Sequence, residues 1–149
     1  MEKPTTTEQF QQDQRFDWRF LRNKIEVVTH ALDGTQPATA GNYGVFSHVP
    51  FACWVEEVWE SHQIAGTDAG AVTVDLEKLT SGQALDAGTT MFAAAQSLKS
   101  TINTPVNVAL TATIASRQLA RGDRLALKDG GVLTAVAGLA VTVVLHLKI

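Results

Sequence analysis

Residues 46–79, FSHVPFACWVEEVWESHQIAGTDAGAVTVDLEKL, hold two apolar runs with a turn between them. In the second run Val72, Val74 and Leu76 alternate with Thr73, Asp75 and Glu77, the period of a strand with one buried and one wet face. In the first run Cys53, Val55, Val58 and Trp59 are apolar. The adjacent Glu56 and Glu57 interrupt the alternation, which predicts a bulge or a strong twist at that point. AGTDAG between the runs is turn chemistry, because glycine permits positive φ and the Asp68 side chain can accept from the backbone just after it. The stretch reads as strand, loop, strand, and no residue in it looks catalytic.

The flanking sequence continues in the same vein. Ile25 to Leu32 has the β-branched content of a strand, DGTQPATAGN after it is a loop, and Tyr43 to Val49 resumes as a strand ended by Pro50. Downstream, TSGQALDAG is a loop. The alanines of TTMFAAAQSL predict one short helix over 89–98, with Met91, Phe92, Ala95 and Leu98 on one stripe. Val106, Val108, Leu110 and Ala112 then alternate as a strand, Arg117 to Asp123 is a turn, and Leu125 and Leu127 face inward from a short strand. Lys128-Asp129-Gly130-Gly131 predicts a hairpin turn. The chain closes with Leu139, Val141, Val143, Leu145, Leu147 and Ile149 on one face of a long strand. About eight strands, Gly-rich turns and one short helix predict an all-β domain. The expected architecture is a β-sandwich, jelly-roll-like, over residues 25–149. An immunoglobulin-like sandwich is the alternative, without the Cys, Trp, Cys pattern that often marks it.

Residues 1–24 have a different texture. A polar lead of Thr and Gln gives way to RFDWRFL, in which Phe16, Trp18 and Phe20 occupy every second position. In extended conformation the three rings point to one side and must be covered. Two readings fit: the first strand of the domain's own sheet, or an extended N-terminal arm that lays its aromatic face on a neighbouring subunit by strand addition. The segment carries five basic and four acidic residues, so it is only mildly basic.

Composition narrows the function. Hydrophobic residues make up 45% and charged residues 18%, as in a folded domain. A net charge of −3 and a pI near 5.7 supply no positive field for nucleic acid or anionic lipid. The N-terminus lacks the apolar core of a signal peptide, and no run of ~18 apolar residues predicts a membrane helix. A soluble protein made in the cytoplasm is expected. The single cysteine, Cys53, reads as a buried small hydrophobe.

Catalytic and metal motifs are missing from the sequence: no phosphate loop, no nucleophile elbow, no Cys-x-x-Cys, no His-Glu-x-x-His. His30, His48, His62 and His146 have no second ligand at metal spacing. Glu56, Glu57 and Glu60 read as a solvated face. Arg121-Gly122-Asp123 matches an adhesion tripeptide, yet a turn before a strand explains it. No enzyme activity, cofactor or metal is expected. Trp54 and Trp59 form a possible exposed aromatic ligand site, able to stack on a sugar if both face outward.

The order of VPFACWVEEVWESHQIAGTDAGAVTVDLEKLTSG, then DAGTTMFAAAQSLKSTINT, then LTATIASRQLARGDRLALKDGGVLTAVAGLAVTVVLHL resembles small virion proteins of tailed bacteriophages. These are capsid decoration (cement) or head-fibre proteins with a sandwich or jelly-roll domain. The resemblance covers residues 43–149. It implies a non-enzymatic structural protein that binds the outer surface of a phage head as a homotrimer, has the major capsid protein as partner and ties neighbouring capsomers together. A virion location follows, after synthesis in the host cytoplasm. A host-glycan-binding module of a phage fibre or tail, using Trp54 and Trp59, is the competing expectation.

Overall fold

The computed structural model describes residues 25–36 and 44–148. The expected arm, with Phe16, Trp18 and Phe20, lies outside the described residues, as does Tyr43. Ten strands are present among the described residues: β1 (Ile25–Thr35), β2 (Val45–His48), β3 (Cys53–Ser61), β4 (Val72–Leu79), β5 (Thr89–Thr90), β6 (Gln96–Ser97), β7 (Val106–Asn107), β8 (Gln118–Leu119), β9 (Arg124–Gly131) and β10 (Ala137–Leu147). A single turn of helix, α1 (Ile114–Arg117), precedes β8.

The strands form two antiparallel sheets. Sheet one runs β1-β10-β3, with β7 and β8 both paired to β3; sheet two runs β2-β9-β4, with β5 and β6 both paired to β4. The pairing is nested: first strand with last, second with next to last, and so inward. Between the sheets lies one core, built by the inward positions of the long strands: Cys53, Val55 and Val58 of β3, Val72, Val74 and Leu76 of β4, Leu125 and Leu127 of β9, and Leu139, Val141, Val143 and Leu145 of β10. Alternation along the sequence therefore became burial, as an antiparallel sandwich requires.

The bulge in the first run is real. Between Leu145↔Val55 and Val144↔Glu57 the register of β3 on β10 shifts, leaving Glu56 without a partner residue. One extra residue puts both Glu56 and Glu57 on the outside and returns Val58 to the core. The Asp68 turn forms as expected, with the Gly70 amide donating to Oδ1 at 2.8 Å. Arg121-Gly122-Asp123 is a turn, with Gly122 at φ 92° and the Ala120 amide donating to the Asp123 carboxylate at 2.8 Å. Cys53 is buried at the start of β3.

Three local expectations are corrected. Residues 89–98 are not a helix. Their backbone groups pair with the sheets instead: the Met91 amide donates to Leu76 O, Ala93 to Ala109 O and Leu98 to Val72 O. Met91, Phe92 and Leu98 sink into the core while the three alanines stay exposed, so burial outweighs the helical preference of alanine. The helix lies instead at Ile114–Arg117. Residues 128–131 are not a hairpin turn but the end of β9, opposite Val72 to Asp75 of β4. Glycine is required there by close approach: a Cβ on Gly131, at φ 80°, would lie 2.1 Å from Ala71 O, and one on Gly130 would lie 2.2 Å from Thr73 Oγ1. The chain then crosses to the other sheet through residues 132–136. Finally, Glu60 does not belong to a solvated face; it is 1% exposed.

Candidate functional site

The outer faces of the two sheets are chemically unlike. On sheet two, Thr73, Asp75, Glu77 and Leu79 of β4 stand opposite Gly130, Lys128, Ala126 and Arg124 of β9. The segment 80–90 lies across them. Arg124 Nη2 donates to Thr80 O and Gln83 O, and the Asp86 amide donates to Glu77 at 3.0 Å. Lys128 pairs with Asp86 and approaches Glu77 to 4.0 Å. Glu77 and Leu79 are thereby buried although they point away from the core. Burial pushes the Asp75 carboxyl above its ordinary range, opposed by amide donors from Leu76 and Phe92 and by the charge of Lys128. This face is closed.

Among the described residues no segment covers the outer face of sheet one. Trp54 and Trp59 both point outward from β3, the orientation a sugar platform needs, and Trp59 is 37% exposed. They stand roughly 15 Å apart along the strand, each in its own setting. Trp59 lies opposite Thr142 of β10, and its indole N–H donates to Glu57 at 3.0 Å. Trp54 lies opposite His146, and the two rings stack at 4.3 Å with an interplanar angle of 12°. Glu56 Oε2 holds His146 Nδ1 at 3.1 Å. On the other side of Trp54, β8 and α1 leave a cleft of about 440 Å³ bordered by Trp54, Glu56, Ile114, Arg117, Gln118 and Lys148. Across β10 the same face continues to Thr29 and the exposed Val27 of β1.

Among the described residues β1 pairs with β10 alone, and Ile25–Leu32 contains neither proline nor lysine, two residues that commonly blunt a sheet edge. His30, which lies inward on β1, stacks on Phe46 of β2 at 5.0 Å and links the two sheets on that side. Its partial burial lowers its pKa.

Sequence reasoning missed a polar pair inside the sandwich. His62 Nδ1 meets Glu60 Oε1 at 2.7 Å, both side chains are 1% exposed, and Gln96 Nε2 reaches the other carboxylate oxygen at 3.4 Å from sheet two. The i, i+2 spacing of Glu60 and His62 was visible; the inward side of the bulged strand was not. Among the described residues no group of three His, Cys, Asp or Glu side chains could hold a metal ion, and no helix is long and apolar enough to cross a membrane.

No family model matches this chain, and neither does any curated protein. Among solved structures it is similar to a chain of the cyanophage Pam1 capsid asymmetric unit, with a TM-score of 0.52, 15% identity and 85% of each chain covered. That likeness is one of fold. A chain from Bacillus endospore appendages, described as disulfide-linked pili, aligns over 84% of this chain and 89% of its own at 18% identity, with a TM-score of only 0.27, too low to carry an argument.

Proposed function

We propose that this is a non-enzymatic structural protein of a phage virion: a decoration or cement protein that binds the outer surface of the head and stabilises contacts between capsomers. The observation that carries the reading is the sandwich it shares, over 85% of both chains, with a chain of a cyanophage capsid asymmetric unit. The nested strand order supports a jelly roll, in which a folded strip of antiparallel pairs closes over one core. In this reading the major capsid protein is the partner and the protein is a homotrimer. Residues 1–24 lead directly into the unguarded edge strand β1. They act as an arm whose Phe16, Trp18 and Phe20 cover a neighbouring subunit by strand addition. Many weak copies on one shell bind strongly together, because each linked contact raises the effective concentration of the next.

The test is co-sedimentation with cognate empty capsids, alongside the solution mass by light scattering. A trimer that pellets with capsids is expected. Removing residues 2–24 should leave the domain folded while capsid occupancy collapses. Full occupancy by the truncated protein would refute the arm, and failure of the intact protein to pellet would refute the cement role.

A second reading has its own observation: both Trp54 and Trp59 face outward on the open side of sheet one. There the protein is a module of a fibre or tail that recognises a host glycan. It predicts saturable binding to host cell-wall polysaccharide, lost in Trp54→Ala or Trp59→Ala with the fold intact.

A further inference from the structure

The cleft beside Trp54 is built for more than stacking. Its floor holds Arg117, whose Nε is buried and has no hydrogen-bond partner. Among the described residues Arg117 also has no ion pair. A guanidinium does not lose its proton in a protein, so the half-buried Arg117 keeps its charge where it borders the cleft. Its Nε is enclosed, and donation to a ligand falls to the terminal nitrogens. Lys148 adds a second cation at the exposed rim, its backbone fixed by donation to Ala52 O at 2.9 Å.

The wall beside these cations is the flat indole of Trp54. His146 covers the indole of Trp54 from the β10 side and is itself held by Glu56, which leaves the ring's opposite side toward α1 and the cleft. Gln118 and Glu56 stand at the margins as hydrogen-bonding groups.

We infer that this cleft binds a carboxylate-bearing sugar, a uronic acid residue of an acidic polysaccharide, with the pyranose ring on Trp54 and the carboxylate on Arg117. A planar fork of N–H donors matches a carboxylate in two parallel hydrogen bonds, and Lys148 adds charge without directing geometry. The apolar ring face suits Trp54, and the ring hydroxyls suit Glu56 and Gln118. A bare phosphate would gain nothing from the indole. The inference rests on the glycan reading of the open face and sharpens it to a charge class.

The experiment titrates the full-length protein with a trimer of galacturonate and, separately, a neutral galactose trimer, followed by calorimetry and by tryptophan fluorescence. The acidic trimer should bind at least about tenfold more tightly, the discrimination expected of a charge-assisted hydrogen-bonded pair. Arg117→Gln should bring the acidic trimer to within about two- to fivefold of the neutral one, the margin left by Lys148, and leave the neutral one unchanged. Lys148→Gln, at an exposed rim where refolding is not at issue, should lower acidic binding about two- to fivefold, as for a screened surface charge. Trp54→Ala should abolish both. Equal affinities for the two trimers, with no effect of Arg117→Gln, would overturn the carboxylate assignment and keep the glycan reading. No binding of either trimer at millimolar concentration would overturn both. Capture of a polyglutamate peptide through Arg117 without uronate binding would transfer the cleft to an acidic peptide and overturn the sugar.

Discussion

Strands β3 and β4 are alike in length and lie on either side of one core, yet they distribute polarity in opposite ways. β4 turns Val72, Val74 and Leu76 inward and Asp75 and Glu77 outward, then covers the outward charges with residues 80–90. β3 turns a charge inward, at Glu60, and two tryptophans outward, at Trp54 and Trp59. Both strands bury a carboxyl, Glu60 inside the sandwich and Glu77 beneath residues 80–90, so the contrast lies in the indoles, whose exposure costs free energy on β3 alone. The inverted strand is the one whose outer face no other segment covers among the described residues. Its departure from the rule is why we propose that face for a partner or ligand.

The inversion can be broken from inside. Glu60→Ala removes the sole carboxylate contact of His62 seen among the described residues and leaves the buried imidazole and Gln96 without it. A loss of about 3 kcal/mol is expected, the upper end for leaving a buried polar group unmet. Chemical denaturation measures it. Glu60→Gln, whose one amide oxygen can still accept from His62, should lose less. If Glu60→Ala proved harmless, the polar pair would be incidental to the sandwich.

The closed face can be broken from outside. A Cβ on Gly88 would lie 2.5 Å from Lys78 O and 2.7 Å from Leu79 Cδ2, and the first of these is backbone that cannot step aside. Gly88→Val should therefore lift residues 80–90 off β4 at a cost of about 1–3 kcal/mol. Faster amide hydrogen exchange at Asp86, whose N–H rests on Glu77, would locate the damage. Unchanged exchange there would mean that the segment is held by the rest of its bonds and that closure does not depend on the glycine.

Much of this arrangement was legible in the chain. The alternation in β4 and β10 identified which side chains enter the core, and Glu56-Glu57 located the bulge, because period two is a property of one strand alone. What alternation lacks is the identity of the partner strand. Gly130 and Gly131 read as a turn since their true reason, the approach of Ala71 and Thr73, comes from β4 and the residue before it, more than fifty positions earlier. Residues 89–98 read as a helix because the carbonyls that claim their amides, on Leu76, Val72 and Ala109, belong to other segments. The candidate cleft was half visible. Trp54 could be named from its ring, but His146 and Arg117 reach it only through the pairing of β3 with β10 and β8.

The smallest effect belongs to Asp75, and it sharpens the contrast by sign. Its Oδ1 accepts from the Leu76 amide at 2.7 Å and the Phe92 amide at 3.3 Å, so Asp75→Ala should lose about 1–2 kcal/mol through unmet donors. Asn keeps an acceptor oxygen in the same place. Burial raises the folded pKa of Asp75 above its ordinary 3.8, so the folded chain holds this proton more tightly than the unfolded chain does. Stability from this group is then greatest below 3.8 and falls as pH rises through the window between 3.8 and the raised folded value. At pH 7 the closed face carries an ionised carboxylate at a penalty, and Asp75→Asn should equal or slightly exceed the parent in stability. That margin should shrink as the pH is lowered through the window, because the protonated parent then resembles the amide. Denaturant midpoints for the two proteins at pH 7 and pH 4 decide it. A less stable Asp75→Asn at pH 7 would mean that attraction to Lys128 outweighs burial, and that the closed face is held by its charges as well as covering them.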